Sequence, residues 1–191
     1  MRIRITLTGI APLLMHNVRM SDPTYSAVRA MKKITADKKF KDTDEGIEQL
    51  AHLEFIGGMY HDEVMGPYLP AENITGSIVA GAKATRQGKT ISRALLLLDD
   101  SPLAYDGPRD LESLWSDDRF RDRRMVRVQR NKVPRVRPRF DEWRAEFDGD
   151  LDTELINLRE FEEIAELAGR SEGVGDYRPR FGRFTSEVTA L

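Results

Sequence analysis

Residues 2–9 read RIRITLTG, and Ile3, Ile5 and Leu7 alternate there with polar or charged residues. A period of two is typical of a β-strand with one buried face, so this stretch predicts the first strand of a sheet. Further patterns predict two helices, one with its N-cap at Asn73 and a later one capped by Asp152 or Thr153. Between these helices they predict strands at Ser92–Leu98, 125–128, 133–140 and 143–147, and after the second helix a last strand to about Val188. With the connecting segments left out, this order predicts an α+β fold with a ferredoxin-like, RRM-like βαββαβ core.

The segment 13–70 lies between the first strand and the first core helix. It has helix signals of its own, of which the clearest is Thr43 as the N-cap of a helix from Asp44 to about Phe55. Residues at helical spacing on one side of that helix are Ile47, Leu50, Ala51 and Glu54. We therefore expect residues 1–191 to form a single domain, in which 13–70 is an inserted helical region.

The composition is that of a folded protein without cysteine chemistry. Of the 191 residues, 40% are hydrophobic, which is enough to build a core, and none is cysteine. The absence of cysteine excludes disulfide bonds, thiolate metal sites and a cysteine nucleophile. The alternating N-terminus lacks the apolar core of a signal peptide, and the longest strongly apolar run, Ala94–Leu98, is too short to cross a membrane. We therefore expect a cytoplasmic protein that does not contact a membrane.

The positive charge is concentrated in one segment of the chain. Arg119–Arg139 contains ten basic residues and one acidic residue, a net charge of +9, whereas the remaining 20 basic and 31 acidic residues sum to −11. A block of one sign in an otherwise acidic chain creates a local field that attracts anionic partners. Because Arg135, Arg137 and Arg139 alternate with other residues, an extended chain projects all three in the same direction.

Two arginine-rich strands of this kind would form a basic ribbon on the ferredoxin-like sheet. Such a ribbon can follow a phosphate backbone, because guanidinium groups hold phosphate oxygens bidentately. The predicted nucleic-acid-binding residues of the ribbon are Arg123, Arg124, Arg127, Arg130, Lys132, Arg135, Arg137 and Arg139. The alternative is a solvated face that acidic helices of the same chain neutralise. A helix with the acidic residues Glu160, Glu162, Glu163 and Glu166 is available for this.

A second arginine-rich segment, which we call the glycine-rich loop, is Gly173–Phe184, with the sequence GVGDYRPRFGRF. It combines glycines, which permit positive φ angles, with cations and with rings on which the bases of a single strand can stack. The glycines are Gly173, Gly175 and Gly182, the predicted nucleic-acid-binding cations are Arg178, Arg180 and Arg183, and the rings are Tyr177, Phe181 and Phe184. The alternative is a tight turn from helix to strand, with Phe181 and Phe184 in the core.

A third and weaker signal is the stretch Leu69–Ile78, LPAENITGSI, which leads into a helix and is followed by Lys83 and Arg86. The N-terminus of a helix can bind phosphate, and Lys83 is included among the predicted nucleic-acid-binding residues. Because Glu72 opposes an anion at that position, the alternative is an ordinary capped core helix.

Three segments together resemble the RAMP superfamily, which includes the RNA-binding subunits of CRISPR effector complexes. Leu69–Ile78 is similar to the family's Pro-x-x-x-ϕ-x-Gly start of the first helix. The glycine-rich loop is similar to its loop before the last strand, and residues 9–14 fit the end of its first strand. The resemblance implies RNA binding, copies that polymerise along a guide RNA, contacts with other effector subunits, and a thumb in the place of 13–70.

The chain departs from the family in its short length and in having Ala71-Glu72-Asn73 where Gly-Ser-Ser is common. A compact, phage-encoded relative outside any CRISPR system fits equally. Some RAMP proteins cut RNA with an aspartate in the loop after the first strand, and others use a histidine as an acid or base. The resemblance makes Asp22 and His16 the corresponding candidates here.

From these patterns we expect a non-catalytic subunit that binds single-stranded nucleic acid, RNA in preference to DNA, and multimerises along the strand as a filament. No cofactor and no metal site is expected. One alternative is an RNA endonuclease that uses Asp22 or His16. Another is a structural protein that assembles through complementary charge blocks.

Overall fold

The computed structural model describes the backbone of residues 1–128 and 131–191, and the side chains of 1–126 and 133–191. Within these residues the protein is an α+β structure of six α-helices and ten β-strands in small antiparallel sheets. None of the helices in the described part of the chain combines the length and the apolar character that a membrane crossing requires.

In chain order, the strands are β1 (Arg2–Gly9), β2 (Leu13–Leu14), β3 (His61–Asp62), β4 (Gly66–Leu69), β5 (Leu95–Leu97), β6 (Ser101–Pro102), β7 (Arg121–Val128), β8 (Asn131–Phe140), β9 (Arg144–Leu151) and β10 (Phe184–Ala190). The α-helices are α1 (Ser26–Ala36), α2 (Asp44–Gly58), α3 (Ala71–Ala82), α4 (Gly88–Ala94), α5 (Leu111–Ser116) and α6 (Leu158–Ser171). Single 3₁₀ turns are Val18–Ser21, Lys83–Thr85 and Asp118–Phe120.

The chain divides into two compact units. The first unit is Met1–Leu13, Asp62–Asp106 and Phe140–Leu191, and the second unit is Leu14–His61 and Gly107–Arg139. Most of the segment 13–70 therefore belongs to the second unit, but its first residue, Leu13, and its last residues, 62–70, belong to the first. The second unit also contains Gly107–Arg139, which we did not expect to separate from the main sheet.

The first unit is built on a four-stranded sheet with the order β10-β1-β9-β5, in which each neighbouring pair is antiparallel. The strand predicted from RIRITLTG is confirmed as β1, and Ile3, Ile5 and Leu7 are fully buried on one face. Helices α3 and α6 supply the rest of this core: α6 contributes Phe161 and Ala165, both fully buried. Burial of such side chains is the main favourable term in the stability of the unit.

A close approach of two helix backbones holds α3 against α6. A Cβ atom added at Gly81 would lie 2.8 Å from Cα of Ala168, so only glycine allows this spacing. Closer to the end of α6, Gly169 packs against the carbonyl oxygen of Phe184 at the start of β10. The small residues at these two points therefore fix how α6 meets both α3 and the sheet.

Two predictions for this unit were wrong in their bounds. The helix predicted to be capped by Asn73 begins two residues earlier, at Ala71, whose N–H donates to the Asp100 carboxylate at 2.9 Å. Residues Ser92–Ala94, predicted to be part of a strand, are the last turn of α4, and the strand is limited to Leu95–Leu97.

The last long helix also begins later than predicted. The N-cap is Asn157, whose side chain accepts from the Glu160 N–H at 3.0 Å, whereas Asp152 caps a separate turn through the Glu154 N–H.

The second unit contains α1, α2, α5 and the antiparallel hairpin β7–β8, in which Arg124 pairs with Arg135 and Arg121 with Pro138. The predicted cap of α2 is confirmed, because Thr43 Oγ1 accepts from the Gly46 N–H at 3.1 Å. The hairpin pairs outside the four-stranded sheet. The expectation that the arginine ribbon lies on the main sheet was therefore wrong.

The spacing of α3 and α6 can be tested with two glycines of the same helix. Gly81→Ala should destabilise the protein by about 1–3 kcal/mol, because its methyl group must displace the Ala168 backbone. The measurement is the urea midpoint followed by circular dichroism.

Gly76→Ala is the matched control, since apart from its chain neighbours and its own helix backbone no described atom lies within 4 Å of the Cβ position at Gly76. That change should be neutral, or stabilising by up to about 1 kcal/mol through helix propensity. Equal midpoints for the two variants would contradict the close packing of α3 against α6 at Gly81 and Ala168.

Candidate nucleic-acid interface

The arginines of the β7–β8 hairpin face acidic side chains of their own unit. Glu54 on α2 is the main partner: its Oε1 accepts from Arg137 Nη1 at 2.7 Å and lies 3.5 Å from Arg135 Nη1. Its other oxygen, Oε2, accepts from the Val136 N–H at 3.0 Å. The side chains of Arg137 and Glu54 are each only 8% exposed. Arg137 is therefore directed at Glu54 and not at solvent.

Two further acids neutralise the neighbouring arginines. Asp122, itself buried, accepts from the Arg124 guanidinium and lies 3.4 Å from Arg139 Nη1. Glu48 on α2 accepts from Arg123 Nη2 at 2.9 Å. The alternative of neutralisation within the chain is thus what these side chains show, but the acids come from α2 and β7 and not from the predicted helix around Glu160–Glu166.

The predicted ribbon residues consequently divide into two groups. Arg123, Arg124, Arg135 and Arg139 remain partly exposed at the surface while paired, and Arg137 is buried. The side chains of Arg127, Arg130 and Lys132 lie outside the described residues.

The backbone of the glycine-rich loop is fixed at several points in the first unit. Gly173, Gly175 and Gly182 have φ angles of 70°, 79° and 70°, a conformation that glycine permits. The Val174 N–H donates to the Gly182 carbonyl at 2.9 Å, which closes the loop on itself. A side chain at Gly182 would overlap the Val174 carbonyl, so the crossing requires glycine there.

Two bonds then fasten this closed loop to neighbouring elements. Ser77 Oγ on α3 donates to the Gly173 carbonyl at 2.8 Å in a fully buried position, and the Gly182 N–H donates to the Pro12 carbonyl at 2.8 Å. The loop is therefore tied to α3 and to the chain that leaves β1.

The three loop arginines are exposed, in contrast to the paired arginines of the hairpin. Arg178, Arg180 and Arg183 make no ion pair with any acidic side chain among the described residues. Arg183 Nε donates to the Pro179 carbonyl at 2.7 Å, and the Arg180 guanidinium lies 5.9 Å from the centre of the Phe181 ring. These contacts position the cations without neutralising them, so their charge remains available to an anionic ligand.

Two aromatic rings of the loop are accessible beside these cations. Tyr177 and Phe181 are half-buried, and their ring centres are 6.5 Å apart. Phe184, by contrast, is 1% exposed and belongs to the core, as the alternative interpretation predicted. Phe181 was predicted to be in the core as well, but it is only half-buried.

The start of α3 does not resemble an anion site. The Ala71 N–H is already bonded to the Asp100 carboxylate, and Glu72 adds a second negative charge in the first turn. Lys83 lies at the opposite end of α3, where its side chain is exposed next to Arg86.

The two candidate catalytic residues lie in the second unit. Asp22 Oδ1 accepts from both the Thr24 N–H and the Thr24 hydroxyl at 2.7 Å, and these bonds hold the pKa of the exposed carboxyl below its usual range. Asp22 therefore stabilises a turn as a carboxylate. His16 lines a cavity of about 330 Å³ together with Lys32, Glu54 and Arg137. Among the side chains that the structure describes, no cluster of three or more acidic or histidine residues could hold a metal ion.

No protein-family model matches the chain, and no curated protein sequence is detectably similar to it.

The buried pair of Glu54 and Arg137 leads to a stability prediction for the second unit. Glu54→Gln should destabilise the protein by about 3 kcal/mol or more, because it leaves the Arg137 charge buried without its counter-charge. Thermal and urea unfolding, followed by tryptophan fluorescence, measure the change.

Glu48→Gln is the matched control on the same helix. Glu48 is 52% exposed, so its pairing with Arg123 should contribute below about 1 kcal/mol. A loss for Glu48→Gln as large as that for Glu54→Gln would show that burial does not set the strength of these pairs.

Proposed function

We propose that the chain is a non-catalytic subunit that binds single-stranded nucleic acid, RNA in preference to DNA, and that several copies bind along one strand. The observation that carries this proposal is the glycine-rich loop of the first unit. It presents three exposed arginines without acidic partners among the described residues, beside two half-buried rings, on a backbone fixed by hydrogen bonds.

This combination suits a flexible strand for two reasons. Arginine guanidinium groups hold phosphate oxygens bidentately, and aromatic rings stack on unpaired bases regardless of their sequence. A loop that is already ordered loses little conformational entropy on binding, so more of the contact energy appears as affinity. Tyr177 and Phe181 are the rings that we assign to stacking, and Arg178, Arg180 and Arg183 are the phosphate contacts.

The arrangement of the first unit supports a ferredoxin-like core of the RAMP type. With α4 and the elements outside the four-stranded sheet left out, the chain order is β1-α3-β5-β9-α6-β10, which is the order strand, helix, two strands, helix, strand. The central strands of the sheet are β1 and β9. The glycine-rich loop lies between α6 and β10, and Leu69–Ile78 leads into α3. We assign Leu14–His61 as the thumb-like insertion of this core.

The arginine hairpin has a secondary part in this proposal. Arg123, Arg124, Arg135 and Arg139 add positive potential, but their acidic partners reduce the net field that a strand would meet. Arg137 is excluded from the binding set because it is buried. Assembly through complementary charge blocks is not proposed, because these arginines already contact acids of the same chain.

The loop arginines can be tested by removing their charge. The triple variant Arg178→Gln, Arg180→Gln, Arg183→Gln should weaken binding to labelled single-stranded RNA, with the slope of log K against log salt reduced by about 2, at ~0.7 per phosphate contact. Fluorescence anisotropy over a range of salt concentrations measures both quantities, and DNA of the same sequence gives the preference.

The matched control removes three exposed charges elsewhere in the same unit: Arg2→Gln, Arg144→Gln, Arg159→Gln. Each of these arginines already pairs with an acidic side chain. The control should keep nearly the full salt slope. Undetectable binding by the wild-type protein at low salt would refute the proposed function, and equal slopes in the two triple variants would remove the loop as its site.

RNA cleavage is a second candidate, favoured by the cavity that His16 lines together with Lys32 and Arg135. In that cavity His16 would accept the proton of an attacking 2′-hydroxyl, while the cations would stabilise the negative charge that develops on the phosphate.

End-labelled RNA incubated with and without magnesium and resolved on a gel tests this candidate. The rate of cleavage should fall by at least about tenfold in His16→Asn. A loss on the order of 10²-fold is typical of removing a general base. His61→Asn is the control. The His61 ring forms a hydrogen bond of 2.8 Å with the Arg109 carbonyl, and it lies away from these cations. RNA that stays intact with the wild-type protein removes the candidate.

A further inference from the structure

A second concentration of exposed positive charge lies in the first unit, where α3 ends and α4 begins. Lys83, Arg86, Lys89 and Arg93 line one shallow cavity of about 660 Å³, with Ser92 contributing a hydroxyl. We call this feature the α3–α4 cavity. All five of these side chains are exposed.

The sequence at the turn explains why cations from two helices meet there. After α3 ends at Ala82, Arg86 adopts a left-handed conformation with φ 61°, and the Gln87 N–H donates to the Ala82 carbonyl at 2.9 Å. The chain therefore reverses within a few residues and starts α4 beside the end of α3. At Gly88 an added Cβ would come within 3.1 Å of Cγ of Lys83, so the absence of a side chain leaves room for the lysine stem.

Among the residues that the structure describes, no acidic side chain lines this cavity or makes an ion pair with any of its four cations. These residues therefore leave the positive charge of the cavity unbalanced. Lys89 and Arg93 are one helical turn apart, a spacing at which like charges repel and destabilise a helix. A bound anion relieves this repulsion, whereas the hairpin arginines have their repulsion relieved by Glu48, Glu54 and Asp122.

The α3–α4 cavity lies away from the glycine-rich loop along α3. Ser77 bonds to Gly173 at the start of the loop, and Gly81 packs on Ala168, which precedes Gly173 in the chain. The direction from Ser77 to Lys83 along α3 therefore runs from the end of α6 towards its start, away from the loop. The helical rise over these six residues is about 9 Å. A ligand that contacts both surfaces must extend along the unit.

We infer that the α3–α4 cavity is a second binding site for the phosphodiester backbone of a single-stranded nucleic acid, distinct from the glycine-rich loop. This inference rests on the proposed function and extends it: one strand contacts each copy at two separated points. Among its described lining residues the cavity offers cations and one hydroxyl but no aromatic ring, so it binds phosphates and does not select bases.

The experiment compares the wild-type protein with three variants by anisotropy at several salt concentrations. The first is the loop triple variant, and the second is the control Arg2→Gln, Arg144→Gln, Arg159→Gln. The third, which we call the cavity variant, carries Arg86→Gln, Lys89→Gln and Arg93→Gln. Each variant loses three positive charges, so net charge is matched.

The cavity variant should bind a long strand about tenfold more weakly than the control at low salt, with the salt slope reduced by about 2. A short strand that reaches only one surface should show a smaller difference between wild type and the cavity variant.

The outcomes separate this inference from the proposed function. If the loop variant loses affinity while the cavity variant equals the control, the second site is refuted and the proposed function stands. If the cavity variant alone loses affinity, the second site stands and the loop is not the main contact. If the wild-type protein binds no strand at low salt, both are refuted. Circular dichroism of the three variants checks that each is folded.

Discussion

The central position of β1 is the constraint on which the first unit depends. β1 pairs with β10 on one side and with β9 on the other, so nearly every backbone hydrogen-bonding group of Arg2–Gly9 has a partner within the sheet. Its buried face carries Ile3, Ile5 and Leu7 into the core. The residues that follow β1 then hold the glycine-rich loop, through the bond from Gly182 to the Pro12 carbonyl and from the Ile10 N–H to the Arg183 carbonyl. The strand and the loop are therefore parts of one hydrogen-bonded arrangement.

Arginine occurs in this protein in two electrostatic settings that its sequence pattern does not separate. In the hairpin, Glu48, Glu54 and Asp122 accept from the guanidinium groups, and the pairs stabilise the second unit. In the glycine-rich loop, a backbone carbonyl accepts from Arg183 and an aromatic ring lies near Arg180, and these groups carry no counter-charge. A dense run of arginines in the sequence is therefore weaker evidence for ligand binding than three arginines whose neighbours carry no counter-charge.

The sequence predicted the features that local chemistry determines and failed where distant residues intervene. The alternation in β1 and the Thr43 cap follow from residues close in the chain, and both are confirmed. Gly173 and Gly175, which were expected to permit positive φ angles, adopt them. The cap of α3 comes from Asp100, about thirty residues later, and no pattern around Asn73 indicates it.

The pairing of the hairpin was predictable in part, because an acid such as Glu54 on the apolar side of a helix indicates a buried carboxylate that needs a cation. The identity of that cation depends on how α2 meets the hairpin, which no local pattern encodes. The α3–α4 cavity was missed for a related reason. Lys89 precedes the segment Ser92–Leu98, which was predicted to be a strand, and Arg93 lies within it, so their meeting with Lys83 and Arg86 could not be foreseen.

Because the glycine-rich loop is closed at Val174 and Gly182, the positions that maintain its fold differ from the positions that present its charge. Gly182 is fixed by the lack of space beside the Val174 carbonyl, and Gly173 by its φ angle and its crowded surroundings, so substitutions there act on folding. Arg178 and Arg180 project from the middle of the loop, where their side chains are exposed. Selection can therefore change the charge at these two positions, and with it the strength or preference of binding, while the scaffold that presents them stays the same.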